Sequence, residues 1–311
     1  MEELDLLILG AGWTATFLIP LLRARNIQFA ATTSDGRAVA GSPTIAFRFD
    51  AAAPDQSAIA ALPRARYVLV TFPLVGAGPS RLLVDSYEAT HRRHHHPHSG
   101  TSKFRFIQLG STGVWQQAGG SGQAATASAP DGPWLTRRSP YDAGDKRAVA
   151  EDELLALGGC VLELAGLWGG ARDPRHWVGR VVATKDAVRG KTSLHLIHGV
   201  DVARAIAAVM AGGDDAWASA AAGQRWMLTD GFVYDWWALL AGWADVAVAV
   251  PAGEGEGEDD KQPTEQARWV YELMVEEGVR ALPRSMERLG RCYDSREFWA
   301  TFGLAPLKAR V

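Results

Sequence analysis

Apolar residues in this chain recur at two spacings. The continuous run Leu6-Leu7-Ile8-Leu9 ends at Gly10 and passes through Ala11 and Gly12 into Trp13, Phe17, Leu18, Leu21 and Leu22, which lie three and four apart. The first spacing predicts a strand buried on both faces, the second a helix, with a glycine turn between them. Comparable strand-length runs follow at 27–33, 44–49, 65–71, 104–109 and 159–164, with helical patterning at 56–62 and 80–92. Strands alternating with helices predict an α/β protein built on a parallel, doubly wound sheet. Further on, the pattern predicts short strands at 195–198 and 226–231 and helices at 200–210, 234–244 and 264–278. No internal repeat is evident.

The strand-turn-helix at the start carries chemistry. Gly10 permits the tight turn, Gly12 lets backbone approach a pyrophosphate, and Ala15 lets the helix pack closely on the strand. The helix then opens at Trp13 and Thr14 with unpaired N–H groups and a favourable dipole for phosphate. This is a dinucleotide-binding turn of the Rossmann kind. Its second strand ends in Thr32, Thr33 and Ser34 with Arg37 close behind, where an NAD-preferring site usually has Asp or Glu. Hydroxyls and a guanidinium suit a 2′-phosphate, so NADP is the expected cofactor. Asp35 argues for NAD, although Ser-Asp-Gly is more simply a turn. Asp50, ending the third run, is a candidate for the adenine edge, and Thr71-Phe72-Pro73 should lie beside the cofactor.

Composition narrows the partners. The chain has 311 residues, a formal net charge of -3 and two cysteines, Cys160 and Cys292. Nucleic acid is excluded by the lack of a basic footprint, and a disulfide framework by the cysteine count, which suits a reducing cytoplasm. Glu2, Glu3 and Asp5 stand where a secretory leader would be basic, and no run reaches the roughly 20 apolar residues of a membrane span. The expected partner is a small organic substrate; the sequence carries no signal of oligomeric state. Twelve tryptophans, mostly after Trp115, are expected in core packing rather than in an apolar substrate pocket. The histidine-rich run 91–98 sits in a Pro- and Ser-bearing connection without the fixed geometry of a metal site, so no metal is expected. The Gly-, Ser- and Ala-rich stretch 116–133 reads as a loop, and the acidic tract 252–262 as a solvated linker.

Five segments in order resemble one family. They are the Gly10 to Ala15 turn, Ser111-Thr112-Gly113-Val114-Trp115, Ser139-Pro140-Tyr141 leading to Arg147 through Glu151, Leu164 through Gly169, and Ile197 through Ala203. Over roughly residues 5 to 230 the chain resembles the short-chain dehydrogenase/reductase superfamily, in its extended and atypical branches of the NAD(P)-dependent epimerase/dehydratase type. The resemblance implies a Rossmann domain over 1–166, to which 195–230 returns, and a smaller, mainly helical substrate lobe from 167–194 and 231–311. It implies that Gly110, Gly166 and Leu167 border the cofactor and that Ser111 holds the substrate oxygen. It also implies a Tyr acid/base with a Lys four residues on.

Here the chain departs from the pattern. Tyr141 follows Pro140 as the family's Tyr often does, but Asp145 occupies the Lys position and Lys146 comes one residue late. Counting back from Glu151 instead puts Arg147 in the Lys position and Ala143 in that of Tyr. The expected catalytic group is therefore Ser111, Tyr141 and either Lys146 or Arg147. The expected activity is NADP-dependent oxidation or reduction of a carbonyl, alcohol or imine. A dinucleotide sensor without turnover, or an isomerase or epimerase on the same fold, are the alternatives.

Overall fold

The computed structural model describes residues 3–91, 104–116, 132–245, 262–309 and 311. The histidine run beyond His91, the loop after Gln116 and the acidic tract up to Lys261 lie outside the described residues. Seven parallel strands form the central sheet: β1 (Leu4–Leu9), β2 (Phe29–Thr33), β3 (Ile45–Ala46), β4 (Ala65–Val70), β5 (Arg105–Ser111), β6 (Cys160–Leu164) and β7 (Gln224–Leu228). Their order across the sheet is β7-β6-β5-β4-β1-β2-β3, the doubly wound Rossmann order that the alternation of runs predicted.

Period-two alternation on these strands builds two cores. Leu6, Ile8, Leu69, Ile107, Leu109 and Leu162 face α1 (Trp13–Ala24) and a later helix, Gly199–Ala211. Leu7, Leu9, Val68, Val70, Phe106 and Val161 face the opposite layer, formed by α2 (Gln56–Ala60), α3 (Pro79–His91) and α4 (Lys146–Ala156). Helices on both faces leave the carboxyl ends of the strands as the open edge. Phe298 and Trp299 return to the first core, with Trp299 Nε1 donating to Thr229 O at 3.0 Å.

A separate apolar cluster joins Val178, Val182, Val188, Trp236, Trp237, Leu240, Val270 and Leu273. The helix expected from Tyr234 is shorter, Trp236–Gly242, because Tyr234–Asp235 pairs antiparallel with Ser193–Leu194. Six of the tryptophans (115, 217, 226, 236, 237 and 299) are buried, as core packing predicts. Among the described residues no helix is long and apolar enough to cross a membrane.

Asp235 pins this cluster. It caps the helix through Trp237 N–H at 2.9 Å and accepts Arg284 Nη2 at 2.7 Å and Arg284 N–H at 2.8 Å. The Arg284 guanidinium in turn lies 4.0 Å from the Trp237 ring centre, and both charged side chains are almost wholly buried. Replacing Asp235 by Ala strands a buried cation and removes a cap. The expected cost is about 3–5 kcal/mol in urea unfolding; a loss below about 1 kcal/mol would mean that the pair contributes no more than an exposed ion pair.

Candidate dinucleotide site

The turn after β1 is held from both sides. Gly10 has a positive φ of 88°, its N–H donates to Thr32 Oγ1 at 3.0 Å, and its carbonyl accepts the Thr71 hydroxyl. A Cβ on Gly10 would come within 2.7 Å of Thr71 Oγ1, so the turn itself demands glycine there. Gly12 differs. A Cβ on it would meet only Gly10 O at 3.9 Å, and its φ of -97° suits any residue. Nothing in the fold requires its small size, which leaves the space above it for a ligand. Gly12 also begins α1 without a side-chain cap, and the first turn holds no acid. The end of a three-turn helix thus faces the open edge with the N–H groups of Trp13 and Thr14 unanswered among the described residues, while those of Gly12 and Ala15 donate to Gly10 O and Gly12 O. Ala15 is buried against the sheet as expected.

Two clefts meet at this turn, sharing Gly12 and Thr71. The larger, about 540 Å³, is lined by Gly10, Gly12, Thr33, Ser34, Arg37 and Phe72, all anticipated, and by Phe47, Arg48 and Phe49, which were not. The Phe49 and Phe72 rings stack with centres 6.4 Å apart, walling its far side. Arg37 is exposed and paired with Asp35 at 2.9 Å, whereas Arg48 is exposed with no acid partner among the described residues. Thr33 bonds Thr44 through their hydroxyls at 2.8 Å. Asp50 and Pro73 are not among the lining residues; the Asp50 carboxylate instead caps Ala52 N–H at 2.8 Å. A basic residue in the third run, Arg48 between Phe47 and Phe49, was the signal available for this wall.

The smaller cleft, about 340 Å³, is lined by Gly12, Trp13, Thr14, Thr71, Gly110, Ser111, Arg147, Leu167 and Arg172, among others. Ser111 ends β5, and its Oγ accepts Gly113 N–H at 3.2 Å. Its hydroxyl hydrogen has no acceptor among the described residues and is free for a ligand oxygen. Gly166 is not a lining residue; a Cβ on it would press on Leu196 and His195 O, so its smallness serves packing. His198 caps the Gly199–Ala211 helix through Val200 N–H at 3.1 Å.

Of the two candidates for the Lys position, Arg147 reaches the cleft and Lys146 does not: Lys146 is exposed on the first turn of α4 and is not a lining residue. Tyr141 stays outside as well. It precedes α4, its hydroxyl donates to Asp152 at 2.7 Å, and its ring lies 4.3 Å from the Arg225 guanidinium. Burial and that hydrogen bond push the Tyr141 hydroxyl above its ordinary value, the opposite of what a proton-exchanging Tyr needs. The structure brings together Ser111 and Arg147, without Tyr141 or Lys146.

Beneath Ser111 lies a buried charge cluster. Arg225 Nε is 2.7 Å from Glu163 Oε1, its Nη2 is 3.3 Å from Glu151 Oε2, and its Nη1 is 3.2 Å from Asp152 Oδ1. Arg147 Nε lies 3.9 Å from Glu151 Oε1, one helical turn along α4. Glu163 stands opposite Gly110 in the β5–β6 register, and a Cβ on Gly110 would overlap its carboxyl group and lie 2.8 Å from Glu151 Oε1. Glycine at 110 is thus set by the acids behind it. Three carboxyls against two guanidinium groups leave one negative charge in excess. Burial and the neighbouring Glu151 hold Glu163 well above its ordinary value, and burial raises Glu151 as well, so the fold favours a proton on the Glu151–Glu163 pair. The apolar surroundings of Glu163 in its strand signalled the need for a partner; that this partner includes a second acid was not legible.

The comparisons follow from this geometry. No family model matches the chain, and no curated protein matches it in sequence. Solved structures do match. A conserved protein of unknown function from Silicibacter pomeroyi is 20% identical, with 92% of this chain and 97% of that chain covered and a TM-score of 0.54. A short-chain dehydrogenase/reductase superfamily protein from Agrobacterium tumefaciens with bound NAD is 14% identical over 92% of this chain and 94% of its own, with a TM-score of 0.54. RMD from Pseudomonas aeruginosa, complexed with NADPH, is 13% identical over 98% and 95%, with a TM-score of 0.53.

A proton bound by the folded state gives a pH signature. Because Glu163 is raised above 4.5 in the fold, unfolding free energy should fall as pH rises past 4.5, by up to about 1.4 kcal/mol per pH unit, until the folded group also ionises. Glu163→Gln lacks that dependence, so its stability relative to wild type should improve steadily above pH 4.5 in urea melts. Parallel curves for the two proteins would show that no such proton is held. Sheet order, uncapped helix start and structural matches agree on one architecture: this chain has a Rossmann fold, similar to that of the solved short-chain dehydrogenase/reductase structure it matches.

Proposed function

We propose that this protein is an NADP-dependent oxidoreductase of the atypical short-chain dehydrogenase/reductase type, acting on a carbonyl, alcohol or imine of a small organic molecule. The observation that carries the reading is the pair of clefts joined at an uncapped helix N-terminus, one with two exposed arginines beside Thr33 and Ser34, the other with Ser111 and Arg147. NADP fits that sequence of groups. Gly12 and the first turn of α1 would hold its pyrophosphate, Phe49 and Phe72 would flank its adenine, and Arg37 and Arg48 would meet its 2′-phosphate. When bound, the cofactor supplies or accepts the hydride.

The chain's own residues hold the reacting oxygen. Ser111 donates its free hydroxyl hydrogen to that oxygen, and the Arg147 guanidinium stabilises the negative charge that develops on it. Arginine stays protonated, so Arg147 acts as a fixed positive field and the proton is exchanged with water at the cleft mouth. The inward turn of Tyr141 toward Asp152 favours a second reading, in which the protein senses the dinucleotide without turnover. The free, buried thiols of Cys160 and Cys292 agree with a cytoplasmic setting for either.

Fluorescence titration should show NADPH bound at least about tenfold more tightly than NADH, and Arg37→Ala with Arg48→Ala should erase that preference while leaving NADH affinity unchanged. Equal affinities in wild type would remove the 2′-phosphate assignment. In a carbonyl-reduction screen, Ser111→Ala and Arg147→Met should each lower kcat by about 10²–10³ with NADPH affinity retained. Tight NADPH binding with no turnover on any substrate class would instead support the sensor.

A further inference from the structure

The reacting end of the cleft holds more positive charge than its proposed cofactor accounts for. Two guanidinium groups, Arg147 and Arg172, line it, and no Asp or Glu does. Resting on the NADP reading above, we propose that the molecule bound beside the nicotinamide is an anion, whose carboxylate or phosphate group Arg172 holds while its reacting oxygen meets Ser111 and Arg147.

Arg172 is built as a stationary donor. Its guanidinium carbon lies 4.5 Å from the centre of the Trp13 ring, and Trp13 Nε1 donates to Gly169 O at 3.0 Å. Gly169 and Arg172 close a tight turn on each other, N–H to O at 2.8 Å and 3.1 Å, with Gly169 at a φ of 106°. The first turn of α1 and the turn carrying Arg172 are therefore fastened together, and the cation is fixed over an aromatic face. The nearest acid in sequence is turned away: Asp173 accepts Arg175 Nε at 2.9 Å and 3.0 Å and caps Arg175 N–H at 2.9 Å. Among the described residues no carboxylate pairs with Arg172.

Arg172 is exposed, so stacking on Trp13 restrains its guanidinium, lowers the entropic cost of ordering it on binding and leaves its planar N–H donors open toward the cleft. It also sets up a field that draws in anions and repels cations. The cofactor's charges find partners elsewhere, the 2′-phosphate at Arg37 and Arg48 and the pyrophosphate at the start of α1. Arg147 is likewise partly engaged, by Glu151 at 3.9 Å, and its second role is at the reacting oxygen. Arg172 alone remains for a charged substituent. The cleft volume of about 340 Å³ limits that ligand to a small molecule.

Calorimetry on protein saturated with NADP, titrated with succinate against succinamide and with glycerol 3-phosphate against glycerol, tests this. At least one anion should bind at least about tenfold more tightly than its neutral partner, and which pair responds separates a carboxylate from a phosphate. Arg172→Met, which keeps an unbranched side chain against Trp13, should abolish the difference while NADPH affinity stays within about twofold. Two outcomes overturn the proposal: neither anion preferred over its neutral partner, or Arg172→Met weakening NADPH as strongly as the anion, which would assign the guanidinium to the cofactor. If wild-type protein takes up no NADPH, the function proposed above fails on its own. Titration of the unloaded protein then decides the subsite: Arg172-dependent anion binding sustains it, and its absence ends it.

Discussion

The site depends on how one peptide unit, that of Gly10, is clasped between two strands. β1 lies between β2 and β4, so the chain leaves it toward one side for β2 and returns on the other for β4. The hydroxyls that end those neighbours, Thr32 and Thr71, take the Gly10 N–H and donate to its carbonyl. Both polar groups of the half-buried Gly10 are thereby satisfied by side chains, and the turn can stay open above. The divergence of connections at this point creates the crevice, and the clasp keeps the crevice from closing on itself. Thr32, read from the sequence as a phosphate partner, is fully buried and serves as a strut instead.

A second constraint acts from below. Burying Glu151, Glu163 and Arg225 under β5 is expensive, and an ion cluster of this kind adds little stability over an apolar core of the same shape. What it does supply is position. Glu151 faces Arg147 one turn along α4, and Glu163 stands behind the backbone of Gly110, next to Ser111. The floor under Ser111 and Arg147 is therefore polar and buried, joined through the ion pairs of Arg225 with Glu151 and Glu163, while both Glu163 oxygens lack a hydrogen-bond partner among the described residues. That is the setting in which a fixed guanidinium acts strongly on a neighbouring oxygen.

Local patterns made much of this legible. The β1–α1 turn, the two-layer sheet and Ser111 at the end of β5 follow from spacing within a dozen residues, where period and turn chemistry decide. Arg48 and Phe49 escaped because β3 is only two residues long, Ile45–Ala46, so the cleft wall is made by irregular chain after it. The same irregularity turned Asp50 back onto Ala52. Tyr141 was misleading for a different reason: its ring lies against Arg225 of β7, a contact that no short window contains, and its hydroxyl turns to Asp152 on α4. Arg172 carried no signal in the sequence, because the contact that holds it comes from Trp13, 159 positions earlier in the chain.

Where the resembled family has a Tyr and Lys pair, this chain sets Arg147 in the cleft, and the start of α4 accounts for the difference. Asp145 caps that helix through Arg147 N–H at 2.9 Å and Ala148 N–H at 3.1 Å, so residue 145 cannot present a side chain to the cleft as the family's Lys does. A turn in which Asp145 N–H donates to Asp142 O at 3.1 Å sets Tyr141 off the helix altogether, where it covers Arg225. Arg147 is the first basic side chain after the cap that faces Ser111, and Glu151, four residues on, holds its stem from behind. Because a guanidinium cannot release a proton, the role proposed for Arg147 is to stabilise charge and not to shuttle hydrogen ions. On the function proposed above, the proton would then come from water, and Arg172, exposed and lining the same cleft, would meet the charged group of the proposed substrate.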